Sequence, residues 1–129
     1  MEPILSKKLL IDPSHIYQVK WDGIRILAKI EDGQVVLHTR NGNLRTQTYP
    51  EITKILKNIY QGETIYFDGE MISLHQGKSD FFQVAKRDRM KTASRIDQSI
   101  TKIPVSYVIF DILKADDEWL IDKPLLTRL

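Results

Sequence analysis

The densest cluster of residues able to do chemistry is Tyr17-Gln18-Val19-Lys20-Trp21-Asp22-Gly23-Ile24-Arg25. Within it, the Lys-x-Asp-Gly-x-Arg string places an amine, a carboxylate, a flexible turn and a guanidinium within six residues. Taken alone, the same string also describes a tight turn that leads into a strand with ordinary surface charges. A second arginine sharpens the chemistry. Asp32-Gly33, flanked by alternating apolar runs from Ile24 to Ile30 and from Val35 to Arg40, predicts a two-residue hairpin, because a type I′ turn needs positive φ at both central positions. That loop sets Glu31 opposite Gln34 and Ile30 opposite Val35, and counting back sets Arg25 opposite Arg40. Two like charges directly opposed on a ladder are destabilising unless an anion lies near them. The pairing points to a phosphate.

The elements needed to hold these groups can be read along the chain. Ile52, Ile55, Leu56 and Ile59 fall at i, i+3, i+4 and i+7, which predicts an amphipathic packing helix over 50–60 with Pro50 in its first turn. A strand is expected from Ile65 to about His75, broken by Gly69. A helix is expected from Asp80 to about Met90, with Phe81, Val84 and Ala85 facing inward. Val105 to Leu113 is nearly all apolar and β-prone, as suits a central strand covered on both faces. Asp111 inside that run either caps a turn or serves a site, since a carboxylate is rarely buried unpaired. Pro124 followed by apolar residues reads as a helix start.

Composition narrows the class. The 129 residues, 42% hydrophobic and 28% charged, suit one globular domain or part of one, and exclude two full domains. No cysteine is present, which removes disulfides, thiolate zinc sites and thiol nucleophiles together. His15, His38 and His75 lack the spacing of a helical metal site and read as surface or strand residues. No apolar run suits a signal peptide or a membrane span, so a cytoplasmic location is expected. The net charge of +2 does not by itself identify a nucleic-acid binder. From Lys86 to Arg95, however, Lys86, Arg87, Arg89, Lys91 and Arg95 stand against Asp88 alone, a local +4. This is either a solvated helix face and loop or a surface that contacts a phosphate backbone.

Lys20-Trp21-Asp22-Gly23-Ile24-Arg25, Thr39-Arg40-Asn41-Gly42, Phe67-Asp68-Gly69-Glu70-Met71 and Tyr107-Val108-Ile109-Phe110-Asp111-Ile112-Leu113 together resemble the ordered motifs of covalent nucleotidyltransferases. The closer resemblance is to the adenylation domain of bacterial ATP-dependent DNA ligases of the end-joining type, and it covers nearly the whole chain. It implies an α+β fold of mostly antiparallel strands with packed helices, related to the ATP-grasp architecture, with residues 1–129 as the N-terminal part of the domain. It further implies that Lys20 attacks the α-phosphate of ATP to form a lysyl-adenylate, which passes to a DNA 5′-phosphate before the 3′-hydroxyl displaces AMP.

By the same resemblance Gln18, Val19, Lys20, Arg25, Arg40, Glu70 and Phe110 bind the nucleotide, with Phe110 stacking on adenine and Arg25 and Arg40 on ribose or phosphates. On an undistorted strand Phe110 and Asp111 point to opposite faces, so only one of them, taken as Phe110, faces the pocket. Gly23 is expected to let the backbone approach the nucleotide closely. Glu70 accepts from a ribose hydroxyl or holds Mg²⁺ through water. Arg40, Lys86, Arg87 and Arg89 contact DNA. Gln18 stands where the family usually has an acid, so adenine recognition passes to an amide that both donates and accepts. The family's Glu-Gly and lysine-rich motifs and its OB-fold domain are not among these residues, and the 129-residue chain is expected to have little ligase activity. Nicked or broken duplex DNA and a Ku-like protein are the expected partners, and a bacterial protein would be nucleoid-associated. RNA ligases and mRNA-capping guanylyltransferases, which share Lys-x-Asp-Gly, are one alternative, and a non-catalytic remnant that only binds DNA or another protein is the other.

Overall fold

The computed structural model describes residues 7–8, 11–60 and 62–128. Strands β1 (Ile24–Glu31) and β2 (Gln34–Thr39) form the expected hairpin. Asp32 and Gly33 have φ of 48° and 72°, and Ile30 pairs with Val35 and Glu31 with Gln34. The ladder ends at Ile26 opposite Thr39, so Arg25 and Arg40 sit one step beyond its last pair. β3 (Thr64–Ile72) runs antiparallel to β1, and β6 (Ser106–Ala115) antiparallel to β3. With the short β7 (Glu118–Trp119) the sheet order is β2-β1-β3-β6-β7, and β4 (Leu74–His75) with β5 (Lys78–Ser79) forms a separate small hairpin.

Alternation divides the sheet into two faces. Ile26, Ala28, Ile30, Leu37, Phe67 and Met71 are buried on one, together with Ile52 and Leu56 of α1 (Pro50–Ile59) and Val84 of α2 (Phe81–Asp88). Arg25, Asp68 and Glu70 leave the sheet on the other face, because their neighbours Ile26, Gly69 and Met71 belong to the core side. The architecture is thus α+β, antiparallel, with helices covering the apolar face.

Several elements depart from expectation. Ile55 and Ile59 are exposed, so only half of the apolar stripe of α1 is used against β2. Phe81 is likewise exposed, and Val84 is the inward anchor of α2. Gly69 does not break β3: a Cβ there would lie 2.6 Å from the Tyr107 ring and from the Val108 carbonyl, so the glycine admits β6. Tyr107 crosses that gap and donates to the Ile26 carbonyl at 2.8 Å. The expectation that β6 is covered on both faces fails, since Asp111 is its one buried residue. Its outer edge pairs with β7 at Lys114 and Ala115, and the Leu113 carbonyl accepts from the Leu120 amide at 2.9 Å. Helix α3 (Ala93–Lys102), unforeseen in the sequence, follows α2, and α4 (Leu125–Arg128) closes the described chain.

Candidate functional site

The turn that carries Lys20 is pinned to β3 by its glycine. A Cβ on Gly23 would lie 2.3 Å from the Met71 carbonyl oxygen and 2.8 Å from Ile72 Cγ2. The close approach expected at Gly23 is therefore made to the protein's own backbone. Burial pushes the Glu70 pKa up, while the charges of Lys20 and Arg25 and the Gly23 amide oppose the rise. Lys20 itself is exposed, within the electrostatic reach of Glu70.

Arg25, the Cα partner of Glu70, forks onto Asp68: Nε donates to Oδ1 at 2.9 Å and Nη2 to Oδ2 at 2.5 Å. Such paired charge-assisted bonds fix orientation as well as charge. Asp68 raises the Arg25 pKa further. The anion demanded by the facing arginines is thus, for Arg25, a protein carboxylate. Next to it, Arg25 lies 5.8 Å from the centroid of the Phe110 ring. The β3–β6 register slips between Asp68 opposite Asp111 and Gly69 opposite Ile109, leaving Phe110 as the extra residue. The expectation that only one of Phe110 and Asp111 faces the site held for an undistorted strand, and this bulge is a local distortion of it. Phe110 reaches Arg25, while Asp111 stands across from Asp68.

Beside this group an open groove of about 510 Å³ is lined by Ile24, Arg25, Thr39, Arg40, Asn41, Asn43 and Arg45. The structure therefore brings Arg25 and Arg40 to one surface, with amides between them. Arg45 faces the same groove but is held by Asp88, Nε to Oδ1 at 2.7 Å and Nη2 to Oδ2 at 2.9 Å. Gln18 and Val19 lie on an exposed stretch ahead of the turn.

Arg87 corrects the expected DNA surface. Its side chain is fully buried and donates to the Thr48 carbonyl and to Glu51 Oε2, both at 2.9 Å. It ties α2 to the start of α1 and has no surface to offer a phosphate. Lys86, Arg89, Lys91 and Arg95 remain exposed. No group of three or more His, Asp or Glu suited to a metal occurs among the described residues, and no described helix is long and apolar enough to cross a membrane.

Asp68 is the residue of this cluster to which sequence reasoning assigned no role, although a carboxylate in a strand interior is the signal that singled out Asp111. Asn41, Asn43 and Arg45 gave no comparable signal, because a loop's polar residues acquire meaning only from what faces them.

The profile of the ATP dependent DNA ligase domain family matches residues 5–129. Bifunctional non-homologous end joining protein LigD of Bacillus subtilis is 32% identical over 134 residues, covering all of this chain and 21% of that protein. A probable DNA ligase of Streptomyces coelicolor is 36% identical over 115 residues, 84% of this chain and 21% of that protein. Among solved structures, mycobacterial DNA ligase D complexed with ATP and MES is similar with a TM-score of 0.69 at 26% identity, covering 86% of this chain and 33% of that one. The chain thus spans about a fifth of the length of these curated relatives.

Proposed function

The chain belongs to the ATP dependent DNA ligase domain family, and from that membership we propose that it is the nucleophile-bearing part of an adenylation domain. The observation that carries this reading is the gathering of Lys20, Arg25, Glu70 and Phe110, from three strands and one turn, at one end of the polar sheet face. A free lysine is mostly ammonium near neutral pH, so the Lys20 amine must lose its proton before its nitrogen bonds to the α-phosphorus of ATP. The bond from that phosphorus to the β-phosphate oxygen breaks, pyrophosphate leaves, and AMP stays on Lys20. The adenylate then passes to a DNA 5′-phosphate, and a 3′-hydroxyl displaces AMP to seal the strand.

The remaining residues bind and orient. Arg25, locked by Asp68, presents a fixed guanidinium at the groove, and Arg40 supplies a second cation for phosphate or for the DNA 5′ end. One face of Phe110 lies against Arg25 and the other is offered to adenine. Gln18 and Val19 would border the base. Glu70 suits a Mg²⁺ site, because that ion takes one or two carboxylates and fills its other positions with water and phosphate oxygens. The ion would neutralise phosphate charge, and Glu70 would hold it through water. Nicked or broken duplex DNA is the substrate on this reading. A Ku-like partner and a nucleoid location are extended from the end-joining relative. Exposed Lys86 and Arg89 would track the phosphate backbone.

An NMR titration of the chain with ATP tests this. Saturable shifts centred on Lys20, Arg25, Glu70 and Phe110 are expected. Failure to saturate, or shifts centred on α2 and α3, would overturn the reading.

A further inference from the structure

Two buried carboxylates face each other across the β3–β6 ladder. Asp68 and Asp111 are Cα partners, 4% and 8% exposed. Like charges so placed destabilise a strand pair unless each is compensated. The compensation comes from two arginines on different elements. Arg25 of β1 forks onto Asp68, and Arg128 of α4 reaches Asp111 at 3.2 Å. Arg128 is itself 4% exposed and also donates to the Ile121 carbonyl at 3.3 Å.

The two pairs are unequal. Asp68 has both oxygens bonded by Arg25, whereas Asp111 Oδ1 and Arg128 Nε are buried without a hydrogen-bond partner. Arg25 also feels the charge of Asp111. Asp111 is therefore a second acceptor beside Arg25, kept occupied by one contact from α4. Phe110, which meets Arg25, directly precedes it on the bulge.

We propose that Arg128 is a positioning residue for the groove: by occupying Asp111 it leaves Arg25 committed to Asp68 and holds the guanidinium and the Phe110 ring in place. The consequence for ATP rests on the function proposed above, while the consequence for Arg25 does not. When Arg128 is removed, Asp111 becomes an uncompensated buried carboxylate and draws Arg25 toward itself. When Asp111 is removed as well, nothing competes for Arg25.

The test compares the parent chain with Arg128→Met and with Asp111→Asn/Arg128→Met, reading the Arg25 Nε–H NMR signal and the ATP affinity. Arg128→Met is expected to displace the signal and weaken ATP binding about tenfold, and the double variant to restore both to within about twofold. A role limited to anchoring α4 leaves the double variant as impaired as the single, which overturns the proposal, as does an unmoved Arg25 signal in Arg128→Met. If the single variant fails to fold, the double decides alone: a folded chain with the parent Arg25 signal supports the proposal, and a displaced signal or an unfolded chain refutes it. Displacement and restoration of the Arg25 signal in a chain that binds no ATP would support the network while removing the nucleotide reading.

Discussion

The sheet end around Lys20 and the stretch from Lys86 to Arg95 are both rich in positive charge, and the fold uses that charge differently. At the sheet end, Arg25 meets Asp68 at the rim of an open groove, with Arg40 beside it. In the basic stretch, Arg87 is buried as a strut between helices, while its neighbours Lys86 and Arg89 face solvent. A guanidinium at a groove can serve a ligand, but one buried between a carbonyl and a carboxylate serves the fold. Burial and partner distinguish them, and neither is visible in a count of basic residues.

The largest effect is expected at Arg87. Arg87→Met leaves Glu51 without its cation and the Thr48 carbonyl without its donor. Thermal and denaturant unfolding should register a loss of about 3–5 kcal/mol, as for other broken buried pairs. A loss within ~0.5 kcal/mol, the range of a surface change, would return Arg87 to the exposed basic surface. Beside the groove, Phe110→Ala should weaken ATP binding by about 1–3 kcal/mol, the usual worth of base–aromatic stacking. It should leave the salt dependence of duplex binding unaltered, and unchanged ATP affinity would make Phe110 a packing residue. Lys86→Ala/Arg89→Ala is the smallest perturbation. It should lower the slope of log affinity for duplex DNA against log salt by about two, near one for each phosphate left unneutralised, with ATP affinity preserved. An unchanged slope would leave these residues as solvated helix charge.

Local rules made some of this legible. Asp32-Gly33 dictated the turn, the turn dictated the register, and the register brought Arg25 and Arg40 to one groove. The partner of Arg25 lay 43 residues away on β3, a distance over which alternation says nothing about which strands pair. The bulge at Phe110 was equally hidden, since an extra residue on β6 is defined only against β3. Burial of Arg87 runs against the tendency of charges to stay wet and follows from the carbonyl and carboxylate supplied by the α1 entry. Helix α3 carries only a faint local signal. Ile96, Ile100 and Ile103 have helical spacing, but they are set among polar and charged residues.

On the proposed function, Lys20 is the lysine aligned with the nucleotide phosphates. An ATP analogue with an acyl group on its terminal phosphate acylates the lysine nearest those phosphates without requiring adenylation, so peptide mapping after treatment reads the alignment directly. Modification is expected to concentrate on Lys20, to be suppressed by excess ATP and to be abolished in Lys20→Ala. Modification shared among Lys86, Lys91 and other exposed lysines, or unaffected by ATP, would contradict it.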